Sequence, residues 1–219
     1  MILATREEAP AEAAGVARRW RFGLATVVLA VVMGILVGYA VGVVTLRPDP
    51  TPGDTSPEAG FARDMTAHHA QAVDMGVTAL ARATTPELRN LGMDIALTQQ
   101  LEIGMMQQWL RDWGLLPSGT QPPMAWMPGG EELVVEGLMP GMATQEQMSQ
   151  LRELEGTDVD RLFLELMIEH HLGGGHMIDA VLELSDDPEV TWLASTMKRA
   201  QAAEVQVMQG YLERIPEPG

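Results

Sequence analysis

Hydrophobic positions recur at helical spacing through four long stretches of this chain, and each stretch is bounded by helix start and stop signals. Ser56, Pro57 and Glu58 supply a capping hydroxyl, a first-turn proline and an acid at the positive end of the helix dipole, so a helix is predicted from Pro57 to about Arg82. Thr85 caps a second, with Pro86 and Glu87 in its first turn, and Gly114 stops it after about Trp113. A third begins at Thr157 or Asp158 and runs to about Leu184, and Asp187 caps a fourth that ends before Pro216. The turns between first and second and between third and fourth are short and contain proline, so each half is an αα-hairpin with one apolar face. Two such hairpins bury those faces best against each other, which predicts an all-α, antiparallel four-helix bundle over residues 57–215. No strand pattern competes. Between the hairpins, Leu116 to Gly130 and Met139-Pro140-Gly141-Met142 are breaks, and the capping box Thr144-x-x-Gln147 opens a short helix to about Leu154. Met124, Met127, Met139 and Met142 are expected to pin this crossover to the bundle by filling gaps.

The N-terminal pattern is different in kind. Residues 23–46 carry no charged side chain, long enough for one helix across a bilayer. Arg18, Arg19 and Arg21 precede this span, so residues 1–22 are expected in the cytoplasm and everything after it outside. The sequence Gly38-Tyr39-Ala40 would serve as a cleavage site, but the apolar run is long for a signal peptide and continues past it, which favours an uncleaved signal anchor. Residues 47–56 (RPDPTPGDTS) read as a stiff, Pro-rich spacer.

The two hairpins are copies of one another at an offset of 102 residues. Phe61, Met65, His68, His69 and Met75 recur as Phe163, Met167, His170, His171 and Met177. Leu80, Pro86, Glu87 and Leu91 recur as Leu182, Pro188, Glu189 and Leu193. Gln99, Glu102, Met106, Gln107 and Leu110 recur as Gln201, Glu204, Met208, Gln209 and Leu212. These are fourteen identities between residues 61–110 and 163–212, where ordinary residue frequencies give roughly three. Four of the five histidines lie in the repeat, as two His-His pairs.

Helical geometry separates the members of each pair, because successive residues turn by about 100°. Ala62, Met65, His69, Ala72, Val73, Gly76 and Leu80 share the more apolar stripe, so His69 is expected in the core. His68 flanks it, with Met65 three residues before and Met75 seven after, and His171 and His170 repeat the arrangement with Met167 and Met177. On the partner helices Gln99, Glu102, Met106 and Leu110 share one face, as do Gln201, Glu204, Met208 and Leu212. A carboxylate on an apolar face must be paired, protonated or metal-bound. His69 with Glu102, and His171 with Glu204, could simply satisfy each other across each hairpin. The duplication of His pairs with methionines at helical spacing points instead to a metal site. Thioether and imidazole together suit copper, Cu(I) above all; the set could also supply the three or four ligands of zinc, for which thioether sulfur adds little, or hold another transition metal. One departure from the repeat stands out: Gly173-Gly174-Gly175 inside the third helix, followed by His176, which reads as a surface residue. The glycines allow a close crossing, a π-bulge or a wider cavity beside His171.

Composition removes several alternatives. The absence of cysteine excludes disulfides, thiolate sites and cysteine nucleophiles. The net charge is −16, and residues 1–46 hold four Arg and three Glu, so the remainder carries −16 − 1 = −17. Such a domain repels nucleic acid and attracts cations. A di-iron bundle needs Glu-x-x-His on two helices, and none occurs. A serine nucleophile elbow is also missing.

The segments FARDMTAHHAQAVDMG, QQLEIGMMQQWL, MPGMATQEQMSQLRELEG and FLELMIEHHLGGGHMIDAV resemble the bacterial family named domain of unknown function 305, over about Pro57 to Tyr211. The resemblance implies a ferritin-like four-helix bundle on secreted or membrane-anchored proteins, some of them associated with periplasmic copper binding and tolerance. Carried over by position, it falls on Met65, His68, His69, Met75, Met167, His170, His171 and Met177, with Glu102 and Glu204 opposite; the helical faces add Met106 and Met208. The triple glycine departs from the family pattern beside the second His pair. The expectation is therefore a membrane-anchored, extracytoplasmic copper-binding protein that buffers the ion or exchanges it with a donor or acceptor protein, performs no turnover and binds no nucleic acid. A structural or interaction module of the cell envelope, or a metal-dependent redox enzyme on the same bundle, are the alternatives.

Overall fold

The computed structural model describes residues 11–45 and 51–215, and every regular element within them is a helix. α1 (Ala11–Thr45) forms a unit of its own. It contains Ala25–Val44, twenty residues long and apolar enough to cross a membrane. The helix starts upstream of the uncharged span, at Ala11. Residues 1–10 of the expected cytoplasmic tail, residue 46 of the expected span and residues 47–50 of the expected spacer lie outside the described residues.

The second unit, from Pro52 on, holds α2 (Pro57–Arg82), α3 (Pro86–Asp112), α4 (Gln145–Glu153), α5 (Thr157–Leu184) and α6 (Pro188–Leu212). Local chemistry sets these ends as the sequence predicts. Ser56, Thr85 and Asp187 each accept a backbone N–H of the following turn ahead of a proline, and Thr144 and Gln147 close a reciprocal capping box. α5 has no side-chain cap. Asp160 in its first turn instead accepts the backbone N–H and the hydroxyl of Thr84, tying α5 to the turn of the first hairpin.

The core divides into two poles that show how the helices run. One gathers Phe61 and Met65 from the start of α2, Met106 and Leu110 from the end of α3, Met177 and Val181 from the end of α5, and Val190 and Leu193 from the start of α6. The other gathers Ala72 and Met75 of α2, Leu88 and Ile95 of α3, Phe163 and Met167 of α5, and Met208 of α6. The start of α2 thus meets the end of α5, and the end of α3 meets the start of α6, the arrangement of an antiparallel four-helix bundle.

The crossover is held by polar bonds as well as by methionine. Asp64 accepts the Met124 N–H at 2.7 Å and the Trp126 indole N–H at 2.8 Å, and Met124 takes a left-handed φ of 63°. Burial raises the Asp64 pKa, opposed by these two bonds. Gln71 presents its amide to Ala143 as a strand would, accepting from its N–H and donating to its carbonyl. Met124 and Met139 are buried, with Met127 and Met142 packed against the same core. Two expectations change. Residues 53–56 form a turn fastened to the bundle, with Asp54 bonded to Arg63 and Thr120, and are not an extended spacer. Leu80 is exposed, and it is Ala79 that lies against Gly92 in the seam.

Small residues set the spacing of the first hairpin. A Cβ on Gly76 would fall 2.5 Å from the Gly92 carbonyl oxygen, and one on Gly92 would fall 2.7 Å from that of Gly76. The repeat-related positions are Ile178 and Ala194, so the second hairpin cannot close in the same way. In the triple glycine, a Cβ at 173 would strike Pro140 and one at 174 would press on the His68 ring, whereas one at 175 would meet nothing within 4 Å. α5 runs through all three as regular α-helix. Glycine in a helix costs roughly 1 kcal/mol relative to alanine. Gly175→Ala is therefore expected to stabilise the fold by up to about 1 kcal/mol, and Gly76→Ala to destabilise it by roughly 1–3 kcal/mol through overpacking. Urea unfolding of both variants checks the pair; shifts of the same sign would contradict the packing described.

Candidate metal centre

The two His pairs meet at the middle of the bundle, where α2 packs against α5. His69 points across its hairpin to α3, with Nε2 2.8 Å from Glu102 Oε2. His171 makes the corresponding bond to Glu204 on α6 at 2.6 Å. His68 and His170 face each other between the hairpins, their ring centroids 3.8 Å apart and tilted by 34°. His68 Nε2 donates to the Pro140 carbonyl at 3.0 Å, and His170 Nε2 donates to the His68 carbonyl at 3.0 Å. The last two bonds break the symmetry of the repeat. Gly173 and Gly141 let the Pro140 segment lie directly on α5, so a crossover carbonyl takes the His68 proton.

All four imidazoles are buried, and all four use Nε2 for their bond. Carbonyl and carboxylate oxygens only accept, so each Nε2 carries a proton, and wherever the ring is neutral the lone pair is left at Nδ1. The Nδ1 atoms of His68, His69 and His171 are buried without a hydrogen-bond partner. Burial holds the His68 pKa down at about 3, with His69 and His171 as unfavourable neighbours for a second charge. The His170 pKa is pushed well below its usual value by burial first and by His68 second. The central rings are therefore neutral bases at physiological pH, the form in which imidazole takes a metal.

The helical methionines singled out by the sequence divide between the two poles of the core. Met65, Met106 and Met177 share one pole, and Met75, Met167 and Met208 share the other. Each set draws on both hairpins, and the 102-residue offset exchanges one for the other. Glu102 and Glu204 lie between the poles on their histidines. Among the described residues no three His, Asp or Glu side chains are placed to hold one ion. His176 is exposed on α5, as expected of a surface residue.

Two further polar groups belong to the centre. Both amide atoms of Gln99 and the Oε1 of Gln201 are buried without a partner. The recurrence of Gln-x-x-Glu was their signal in the sequence, but only the fold shows that nothing satisfies them. An unsatisfied buried polar group costs about 1–3 kcal/mol, so this cluster of lone pairs is a standing destabilisation of the metal-free bundle.

Neutral burial has a consequence for stability. The unfolded chain takes up protons on these histidines below about pH 6.5, while folded His68 resists until about pH 3. The unfolded state binds more protons in that window, so stability is complete above it and falls as pH drops through it. The thermal midpoint should decline between pH 7 and 4, and His68→Leu with His170→Leu should flatten the decline. An equally steep profile in the double variant would rule out these rings as its source.

Comparison with known proteins supplies the family. The profile of the "Domain of unknown function (DUF305)" family matches residues 58–212. A DUF305 protein of Streptomyces coelicolor, known from its crystal structure, is 39% identical, with a TM-score of 0.68 over 76% of this chain and 99% of its own. A DUF305 fragment from Deinococcus radiodurans is 32% identical, with a TM-score of 0.61 over 76% of this chain and 99% of its own. CopM in its Cu(I)-bound form is 25% identical, with a TM-score of 0.56 over 74% of this chain and 96% of its own. Curated proteins offer no match. With the profile spanning the bundle from the first turn of α2 to the end of α6, this chain belongs to the DUF305 family.

Proposed function

We propose that the protein is a membrane-anchored, extracytoplasmic copper-binding protein that stores the ion or exchanges it with another protein, without turnover. The observation that carries this proposal is the set of buried, unpartnered Nδ1 atoms on His68, His69 and His171, with methionines in the core pole on either side. A donor set of this kind fits a soft ion. Zinc wants three or four nitrogen, oxygen or thiolate ligands, and no three His, Asp or Glu side chains converge among the described residues. Copper completes its shell with thioether sulfur. Met65, Met106 and Met177 would serve at one pole, and Met75, Met167 and Met208 at the other.

Glu102 and Glu204 take a supporting part in this proposal. Each holds Nε2–H, which fixes the tautomer, aims the ring and raises the basicity of Nδ1, as carboxylates do behind metal-bound histidines elsewhere. The similarity to CopM, solved with Cu(I) and with Cu(II), supports the assignment to copper. A purely structural role for the centre would account for the His–Glu bonds but leaves the orphaned Nδ1 and glutamine atoms without a reason. The apolar Ala25–Val44 segment and the arginines before it support anchoring with the bundle outside.

Equilibrium dialysis of the full chain in detergent should show copper retained in preference to zinc and iron. His69→Ala with His171→Ala should lose most of it, and each single variant about half. Undiminished copper in a folded double variant would overturn the proposal. For topology, a reporter active only in the cytoplasm, fused after Gly219, should stay silent; a strong signal would reverse the assigned orientation.

A further inference from the structure

The two halves of the centre are not equally closed to solvent. Between α5 and α6 lies a cleft of about 380 Å³ lined by Leu172, Gly175, Ile178, Gln201, Ala202 and Val205 among others, with His171 at its inner end. The exposed Asp179–Lys198 pair, 2.7 Å apart, spans its rim. Packing explains why the cleft lies here. Ile178 and Ala194 replace the Gly76–Gly92 contact, so α5 and α6 lack the close approach that closes α2 on α3. The Glu behind each histidine registers the difference, with 26% of the Glu204 side chain exposed against 8% for Glu102.

Two features of the cleft have no packing reason. Gly175 sits on its wall although a Cβ there would touch nothing, so the glycine weakens the helix and leaves space in return. Gln201 forms part of the floor, yet its Oε1 is buried and unpartnered. That oxygen and His68 Nδ1 both lie 3.5 Å from where a Gly174 Cβ would be. The Gln201 side chain, part of the cleft lining, therefore lies beside the inner His68 ring.

We propose that this cleft is the inlet through which the ion reaches the centre, and that Gln201 is its inner gate. The proposal rests on the copper assignment made above. Loading thus proceeds through the second hairpin, and the first His–Glu pair is reached from within. Gly175 keeps the inlet open.

The test uses the full chain in detergent, with Cu(I) delivered from a coloured chelator and followed by stopped flow. Gly175→Leu fills the cleft, and Val73→Leu, at the repeat-related position of the closed hairpin, is the control. A gate alters the barrier and leaves both end states alone, so Gly175→Leu should slow uptake and release by the same factor, about tenfold, at unchanged equilibrium copper content. Gln201→Ala should speed both. A metal-free readout is independent of the copper assignment: diethylpyrocarbonate should modify His171 and His68 before His69 in the apo-protein, and Gly175→Leu should delay this. Uptake at the wild-type rate in a folded Gly175→Leu variant, or equal slowing by Val73→Leu, would overturn the inlet while leaving copper binding intact. A wild-type chain that retains no copper would overturn the copper assignment and the inlet's role with it; the labelling order would then report only on solvent access.

Discussion

Four buried imidazoles in the middle of an apolar core impose the constraint around which this bundle is built. A buried neutral ring has one N–H to place and one lone pair to satisfy. The fold meets the first demand four times, with Glu102, Glu204, the Pro140 carbonyl and the His68 carbonyl as acceptors. It leaves the second unmet at three of the four rings. Much of the remaining architecture follows from delivering those acceptors. The glycines at 141 and 173 exist so that Pro140 can reach His68, and the Gln71–Ala143 and Asp64–Met124 bonds hold the segments on either side of it.

Duplication gives the centre its symmetry, and the departures from duplication give it direction. Met65, Met106 and Met177 at one pole are exchanged with Met167, Met208 and Met75 at the other by the repeat offset. The glycine seam, however, is confined to the first hairpin, and the triple glycine to the second. The cleft lies in the second hairpin. A symmetric pair of sites would have two equivalent approaches; this chain places its open side next to His171 and Gln201.

The stability of such a centre depends on what occupies it. Orphaned donors and acceptors cost free energy only while they remain orphaned. An ion that binds the folded state alone would offset that cost and stabilise the bundle by mass action. A chain that stores and releases an ion benefits from this balance, because a fully satisfied core would have no use for a ligand.

Helix ends, the hairpin turns and the antiparallel bundle were legible from sequence because they are local: caps, first-turn prolines and a 3.6-residue apolar period need no partner to be recognised. The His–Glu pairings were legible too, since a hairpin with a short turn brings facing residues together in only one register. What the sequence could not decide was everything that depends on how the two hairpins meet. The contact of His68 with His170, the use of Pro140 as an acceptor and the lack of partners at Nδ1 and Gln201 all arise between segments roughly seventy to a hundred residues apart. The triple glycine shows the division most clearly. Its presence and its cost are written in the sequence, but three identical residues acquire three different reasons, a loop, a ring and an open cleft, only from what the tertiary fold sets against each of them.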